Sequence, residues 1–361
     1  MFLGNILMMV IGLLLIYLGI KKEYEPLLLV PIGFSAFLAN IPYSGLVSTG
    51  GLFRIIYDSG IRNDLFPLLL FIGIGSMIDF SPLIERPWLI IFSAAGQFGI
   101  FIALMLALLI GFNPLEAASI GIIGAMDGPT AIYVTSKYAP HLLGSVSVCA
   151  YSYMASVPLL QVPLCKILTT KKERLIRMEY NPVPFSKSLK LVFPIAVTII
   201  TSFIAPAGTP LIGCLMLGNL MKESGVLERL TKSAQNELTN ITTLLLGLAI
   251  GGTMTAENFL TIQSLLIFFL GIVAFISAIS CGILFAKIVN FLSKGKINPM
   301  IGSCGISAFP MAARTVHKIG REEDPDNWLI MHAMATNVGG QIASIVAGGI
   351  ILTYAPFLAN L

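Results

Sequence analysis

Apolar residues occur in long runs that are separated by short polar connections. Many of these runs are nearly as long as the helix of about 20 residues that spans a bilayer. No stretch is long and polar enough to form a soluble domain. The pattern predicts an all-α polytopic membrane protein. The apolar segments are 3–20, 26–40, 66–81, 88–112, 141–167, 191–207, 208–221, 241–256, 262–292 and 327–355.

Two further segments, 113–140 and 298–320, are similar in length but richer in glycine, proline and polar residues. The first contains the acid Asp127, followed directly by Gly128 and Pro129. Proline lacks the N–H that a helix needs and glycine weakens a helix interior, so we expect a helix break beside the acid. A carboxylate beside freed carbonyls is an oxygen site for a small cation. The alternative is an acid that merely caps a helix in an ordinary loop.

The two sides of the charged connector 171–190 resemble each other. For example, LLLFIGIGSM at 68–77 is echoed by LLLGLAIGGTM at 244–254, and four such echoes keep their order at offsets of about 177 to 185 residues. This repetition predicts an internal duplication, the usual construction of a secondary transporter. We therefore divide the chain into a first repeat, 1–170, the cytoplasmic connector, and a second repeat, 191–361.

The distribution of basic residues predicts the orientation of the repeats. Lys and Arg collect on the cytoplasmic side, which places the connector inside. If 113–140 and 298–320 are re-entrant, each half crosses about five times and the two repeats are inverted. The first re-entrant segment then enters from outside and the second from inside, so that the broken helices meet near the midplane. Arg54, Arg62 and Lys137 are exceptions that fall outside.

Composition supports the membrane assignment and excludes other classes. Charged residues make up 11% of the chain, against about 25% in soluble proteins. A net charge of +4 is too sparse for nucleic-acid binding. The five Cys include no CxxC, and the three His have no ligand spacing. Segment 3–20 lacks a basic region before it and is read as a retained membrane helix.

Neutral oxygen donors recur in and after the second segment. One carboxylate with neutral oxygens suits a monovalent cation better than calcium, which collects several carboxylates. Each donor has an alternative role: a helix cap for Asn298, a packing bond for Asn337, and a core aromatic for Tyr153. The candidate ion ligands are Asp127, Tyr153, Asn298, Ser303, Ser307 and Asn337.

Arg314 differs from the other basic residues because a run of small apolar residues precedes it. We expect it at the mouth of an inner cavity, where a guanidinium holds a planar carboxylate by two hydrogen bonds. The alternative is a cytoplasmic anchor, which is the role we expect for Lys318 and Arg321.

Several stretches together resemble one family. The DGPTA and SAFPMAAR blocks are the most specific of them. The chain is similar to the beta subunits of the sodium-pumping biotin-dependent decarboxylases, which serve oxaloacetate, methylmalonyl-CoA and glutaconyl-CoA decarboxylases. The matching stretches are 73–83, 124–164, 168–180, 218–238, 298–320 and 331–344.

The resemblance implies a function that composition alone does not show. The family's beta subunit takes carboxybiotin from a biotin-carrying partner, decarboxylates it, consumes a proton and exports Na+, as a sodium-transporting translocase. The implied location is the cell inner membrane of a bacterium. The implied partners are carboxyltransferase, biotin-carrier and small membrane-anchoring subunits, with no biotin on this chain; a homo-oligomer is left open.

The resemblance also assigns roles to residues. The family's functional residues match Asp127, Tyr153, Asn298, Gly302, Ser307, Arg314 and Asn337. Together with the reasoning above, we expect catalytic roles for Asp127, Tyr153, Ser307 and Arg314, with carboxybiotin held by Arg314 and Ser307. The expected sodium ligands are Asp127, Tyr153, Asn298, Ser303 and Asn337, and the expected structural residues are Gly128, Pro129 and Gly302.

A stand-alone sodium/proton antiporter or sodium-coupled solute carrier is the alternative function. Such a protein would use the same broken helices and Asp127 but no biotin.

Overall fold

The computed structural model describes residues 2–180 and 185–359, and within these ranges every regular element is helical. The prediction of an all-α protein is confirmed. The α-helices are α1 Phe2–Lys21, α2 Pro26–Ala39, α3 Leu52–Gly60, α4 Leu65–Met77, α5 Ser81–Glu85, α6 Ile90–Gly96, α7 Phe98–Ile110, α8 Pro114–Gly121, α9 Gly128–Tyr138, α10 Leu143–Ala155, α11 Val157–Leu168, α12 Lys171–Arg174, α13 Lys187–Ile204, α14 Thr209–Ser224, α15 Glu228–Ser233, α16 Thr239–Thr253, α17 Ala256–Phe259, α18 Ile262–Leu292, α19 Met311–Glu323 and α20 Ile330–Ala359.

Five helical stretches in the described ranges are long and apolar enough to cross a bilayer, which makes the chain a polytopic membrane protein. Several predicted crossings are shorter: α2 and α4 have 14 and 13 residues, or about 20 Å of helix, against a hydrocarbon core of about 30 Å. The count of about ten crossings therefore stays a prediction. The five stretches are Phe2–Lys21, Pro87–Ile110, Lys187–Ile204, Ile262–Leu292 and Ile330–Leu358.

The apolar segment 141–167, expected as one crossing, is bent in the structure. Helices α10 and α11 meet at an angle of 61°, with Ser156 between them. Pro158 lies in the first turn of α11, where its missing N–H costs nothing, whereas continuing α10 through it would lose a hydrogen bond. The hydropathy pattern does not register such a break, because all the residues around it are apolar or small.

Each sequence half packs against the other. Helix α2 lies on α1 and on α16, while α14 lies on α13 and on α4. The α4–α14 crossing is close because Gly75 meets the backbone of α14 and Gly218 meets the backbone of α4, as small residues allow in membrane helix pairs. The inverted orientation and the boundaries at 170 and 190 stay predictions; residues 1, 181–184 and 360–361 of these divisions lie outside the described residues.

Both broken segments lie inside the helix bundle. Residues 117–135 and 297–308 are all buried. Helix α18 packs against α7 and against the 3-10 helix Pro299–Cys304, and α20 packs against α8, α9 and α19. Irregular backbone at membrane depth is tolerated where protein surrounds it, so this arrangement allows helix breaks in the centre of the molecule.

Candidate functional site

The first helix breaks beside the acid, as the sequence predicted. Helix α8 ends at Gly121 and a 3-10 turn follows at Ile122–Ala125. Met126 has a left-handed φ of 56°, and Asp127 begins α9 with Pro129 in its first turn. The Asp127 carboxylate accepts a hydrogen bond from the backbone N–H of Thr130 at 3.2 Å. The acid is thus also a helix cap.

The Asp127 side chain is buried with few partners. It is 4% exposed, and its second oxygen accepts a hydrogen bond of 2.8 Å from the Ser344 hydroxyl on α20. No Lys or Arg of the described residues forms an ion pair with it. Burying a charge without a counter-ion costs several kcal/mol. The ionised carboxylate at this position therefore favours a bound cation.

The second break meets the first through the main chain. After the 3-10 turn Pro299–Cys304 the chain is irregular until α19 begins at Met311. The N–H of Ser307 donates to the carbonyl of Ala125 at 3.1 Å, and its hydroxyl donates to the carbonyl of Gly340 at 2.9 Å. Ser307 therefore joins both broken segments to α20. Its partner Ala125 lies two residues before Asp127 in the chain.

One face of α20 supports both breaks. Asn337, Gln341 and Ser344 follow at helical spacing and share this face. The amide of Asn337 donates to the carbonyl of Ile306 at 2.7 Å, and that of Gln341 donates to the carbonyl of Ser307. The side-chain oxygen of Asn337 and the hydroxyl of Thr130 are buried without hydrogen-bond partners among the described residues. The Thr130 hydroxyl, in the first turn after Asp127, suits a desolvated cation there. The Asn337 oxygen lies about 10 Å along α20 from Ser344.

A cavity of about 330 Å³ opens onto the site. It is lined by Asp127, Tyr151, Ser307 and Gln341, together with a second acid, Glu25, at the start of α2. Burial raises the pKa of the Glu25 carboxyl above its ordinary value. A ligand that enters this cavity would therefore meet two carboxyl groups and several neutral hydrogen-bonding side chains.

The structure brings Tyr151, not Tyr153, next to Asp127. The ring and hydroxyl of Tyr151 occupy the space where a side chain at Gly128 would lie, and this hydroxyl is buried without a partner among the described residues. Tyr153 instead donates to the carbonyl of Phe268 on α18 at 2.7 Å. Two residues apart on a helix point to nearly opposite sides, so Tyr151 lies on the Asp127 side of α10 and Tyr153 on the α18 side. The sodium-ligand role of Tyr153 stays a prediction.

Asn298 and Ser303 are also held away from Asp127. The amide of Asn298 donates to the carbonyls of Arg174 and Ile176, both at 3.0 Å, and its oxygen caps the N–H of Met300. The structure thus favours the capping role for Asn298.

The Ser303 hydroxyl donates to the carbonyl of Met300 and accepts from Gln161 at 2.9 Å. Neither Asn298 nor Ser303 has a contact with Asp127 among these hydrogen bonds, and the sodium-ligand role expected for them stays a prediction. Gly302 packs against Gly282 of α18, where a side chain would overlap the backbone.

Arg314 lies on α19, one turn beyond Met311, which lines the cavity. Its side chain is exposed and forms no ion pair with the described residues. The guanidinium is therefore free to meet an incoming carboxylate near the cavity rim, although it does not line the cavity itself.

Sequence reasoning missed five residues of the site: Glu25, Thr130, Tyr151, Gln341 and Ser344. Gln341 and Ser344 could have been found, because they continue the helical spacing from Asn337. Glu25 gave no signal, since it lies far away in the sequence at an ordinary helix start.

Comparison with known proteins shows which family the chain resembles. A family model described as Na+-transporting oxaloacetate decarboxylase beta subunit matches residues 4–355. Glutaconyl-CoA decarboxylase subunit beta of Acidaminococcus fermentans is 50% identical over 97% of this chain and 92% of that protein. Methylmalonyl-CoA decarboxylase subunit beta of Veillonella parvula is 48% identical over the same shares.

A third relative, the oxaloacetate decarboxylase beta chain of Haemophilus ducreyi, is 42% identical over 98% of this chain and 95% of that protein. The match extends over both broken segments and the helices that hold them. The chain belongs to the family of Na+-transporting decarboxylase beta subunits.

Proposed function

We propose that this chain is the membrane subunit of a sodium-extruding decarboxylase, which decarboxylates carboxybiotin delivered by a partner subunit and exports Na+. The observation that carries the proposal is the buried Asp127 carboxylate, bonded to Ser344 and lacking a cationic partner among the described residues. Family membership supplies the decarboxylase and sodium-transport assignment.

The ion is proposed to bind at Asp127 from the cytoplasmic side. Its candidate ligands are the Asp127 carboxylate and the hydroxyls of Thr130 and Ser344; the ligand role expected for Asn337, two turns of α20 away from Ser344, stays a prediction. A single carboxylate neutralises one positive charge, which matches a monovalent cation. Moving that charge against 100 mV costs about 2.3 kcal/mol, so export has to be coupled to the chemical step.

The chemical step breaks the bond between the carboxyl carbon and the ureido nitrogen of carboxybiotin. CO2 leaves, the electron pair stays on the nitrogen, and a proton completes the N–H. Arg314 is proposed to hold the carboxylate before this step, with Ser307 deeper in the site. Tyr151, Asp127 and Glu25 line the cavity and are the candidate groups along which the proton arrives.

Asp127→Asn is the decisive substitution, because the amide can still cap α9 but carries no charge. We expect both Na+ transport and Na+-dependent decarboxylation to fall at least about 1000-fold in the intact complex, as expected when a charge that binds the transported ion is removed. Both are measured in reconstituted vesicles. Sodium-dependent decarboxylation at the normal rate in this variant would refute the site.

The comparisons lend no support to the antiporter or solute-carrier alternative. It predicts that the chain works without biotin. If the tagged protein co-purifies a biotinylated partner on avidin resin, as we expect, the decarboxylase proposal is supported; Na+ exchange by the chain alone, with no biotinylated partner recovered, would favour the alternative. Testing the purified complex on glutaconyl-CoA, methylmalonyl-CoA and oxaloacetate identifies the acid.

A further inference from the structure

The charges on and after α19 form two groups, acids that are paired and a row of exposed cations. Three consecutive acids meet cations from α11 and the connector: Glu322 with Lys166 at 4.0 Å, Glu323 with Arg174 at 2.6 Å, and Asp324 with Arg177 at 2.6 Å. These pairs fix the connector to the end of α19. They also neutralise the acids that would otherwise offset the positive charge of this helix.

The second group is a row of exposed cations on one face of α19. Arg314, Lys318 and Arg321 follow each other at four and three residues, so they lie on one face, and all three are exposed. None forms an ion pair within residues 2–180 and 185–359. We call these three residues the basic stripe; it is about 10 Å long.

An exposed tryptophan extends the basic stripe. Trp328 is 57% exposed, with the guanidinium of Arg321 at 4.9 Å from its ring centroid and the ring of His317 at 5.3 Å. Tryptophan and arginine are the side chains most enriched among the energetically dominant contacts of protein interfaces. The Arg321 guanidinium and the His317 ring pack against this ring and hold it in place, which lowers the entropy cost of a contact with another protein.

The position of the basic stripe indicates which surface meets it. It begins one turn beyond Met311 and Pro310, which line the cavity that leads to Asp127. We propose that the basic stripe and Trp328 dock an acidic surface of the protein that carries biotin, and so aim the carried group at the cavity. This inference rests on the proposed function. A surface for lipid headgroups would have no reason to start at the cavity rim.

Charge reversal tests this inference. Lys318→Glu with Arg321→Glu leaves Arg314 and the cavity unchanged. The matched control is Lys171→Glu with Lys172→Glu, an exposed basic pair on the connector that forms no ion pair with the described residues. The full chain, in vesicles with its membrane partners, is supplied with the purified carboxylated carrier protein, and the initial rate of Na+-dependent decarboxylation is measured against carrier concentration.

We expect the stripe variant to raise the KM for the carrier about tenfold with kcat unchanged, because rim charges act mainly on encounter. The control should keep the wild-type KM. Added salt should raise the wild-type KM and hardly affect the stripe variant. Trp328→Ala, which changes no charge, should also raise KM.

Equal KM values in the wild type and the stripe variant would overturn the inference. An equal fall of kcat and protein yield in both charge-reversed pairs, with KM unchanged, would assign the basic stripe to the lipid surface instead. If the wild-type chain neither uses the carboxylated carrier nor co-purifies with it, the proposed function itself fails, which is a separate outcome.

Discussion

The two broken segments have similar positions in their halves but different chemistry. The first, Pro114–Tyr138, places an acid at its break, and Asp127 is the only Asp, Glu, Lys, Arg or His in the buried stretch 117–135. The second, Pro299–Glu323, has no acid or base within 297–308 and supplies amide, hydroxyl and carbonyl groups. Its cations begin at Arg314, on the exposed face. The comparison indicates that the first segment supplies the charge of the site. The second segment supplies neutral groups around it and the cations on the exposed side.

Gly128→Ala should have the largest effect on this comparison. A Cβ at Gly128 would overlap the Tyr151 ring, and a shift of about 1 Å in a reacting site can cost about 100-fold in rate. We expect Na+-dependent decarboxylation to fall by about that factor. Gly213→Ala is the control, since nothing lies within 4 Å of its Cβ, and it should leave activity unchanged. Normal activity of Gly128→Ala would mean that the first break tolerates displacement.

Ser344→Ala tests whether the acid depends on α20. The substitution removes the hydrogen bond to Asp127. Bonds to charged groups contribute about 1.5–3 kcal/mol, so the apparent KM for Na+ should change at least about tenfold. Ser303→Ala, whose hydroxyl contacts Met300 and Gln161, should leave that KM near the wild-type value. If the two variants respond alike, the second segment contributes ligands that this placement does not include.

Tyr151→Phe and Tyr153→Phe separate the two faces of α10. The Tyr151 hydroxyl has no partner among the described residues, so its removal should leave thermal stability unchanged but alter the KM for Na+ a few-fold. Tyr153→Phe loses the bond to Phe268, worth about 1 kcal/mol, and should act through stability. Thermal unfolding and sodium titrations of both variants decide this. The opposite pattern would support the sodium-ligand role of Tyr153.

The smallest expected effect concerns the connector that holds the second segment. The hydrogen-bonded Arg177 guanidinium lowers the pKa of the Asp324 carboxyl. A lowered pKa stabilises the folded state above the ordinary value of about 3.9 and loses this contribution as pH falls toward the lowered one. The thermal midpoint should therefore drop slightly more below about pH 4 in the wild type than in Asp324→Asn. Parallel pH curves would show that this pair does not hold the connector.

The sequence predicted most helices because membrane segments are long and apolar. Segment 262–292 coincides with α18, and 26–40 differs from α2 by one residue. The bend at Ser156 could not be predicted, since its cause is local backbone geometry within an apolar run. The break at Asp127 was predictable because Gly128 and Pro129 disfavour a continuous helix.

The site was predictable only in part. Asp127 and Ser307 stand out because each lies in an unusual stretch. The partners of Asp127, such as Ser344 and Tyr151, depend on which helix faces pack together. The sequence alone does not determine these faces. Asn298 shows the same limit: its residue type suits a ligand, but the sequence does not show that its amide donates to the connector carbonyls of Arg174 and Ile176.

The bond from the Ser307 N–H to the Ala125 carbonyl uses only main-chain atoms. Drift of side chains over evolutionary time therefore leaves this joint intact, and a proline at 307 is the single-residue change that would delete its donor. The two halves can diverge in their ligands while remaining fastened at the same point.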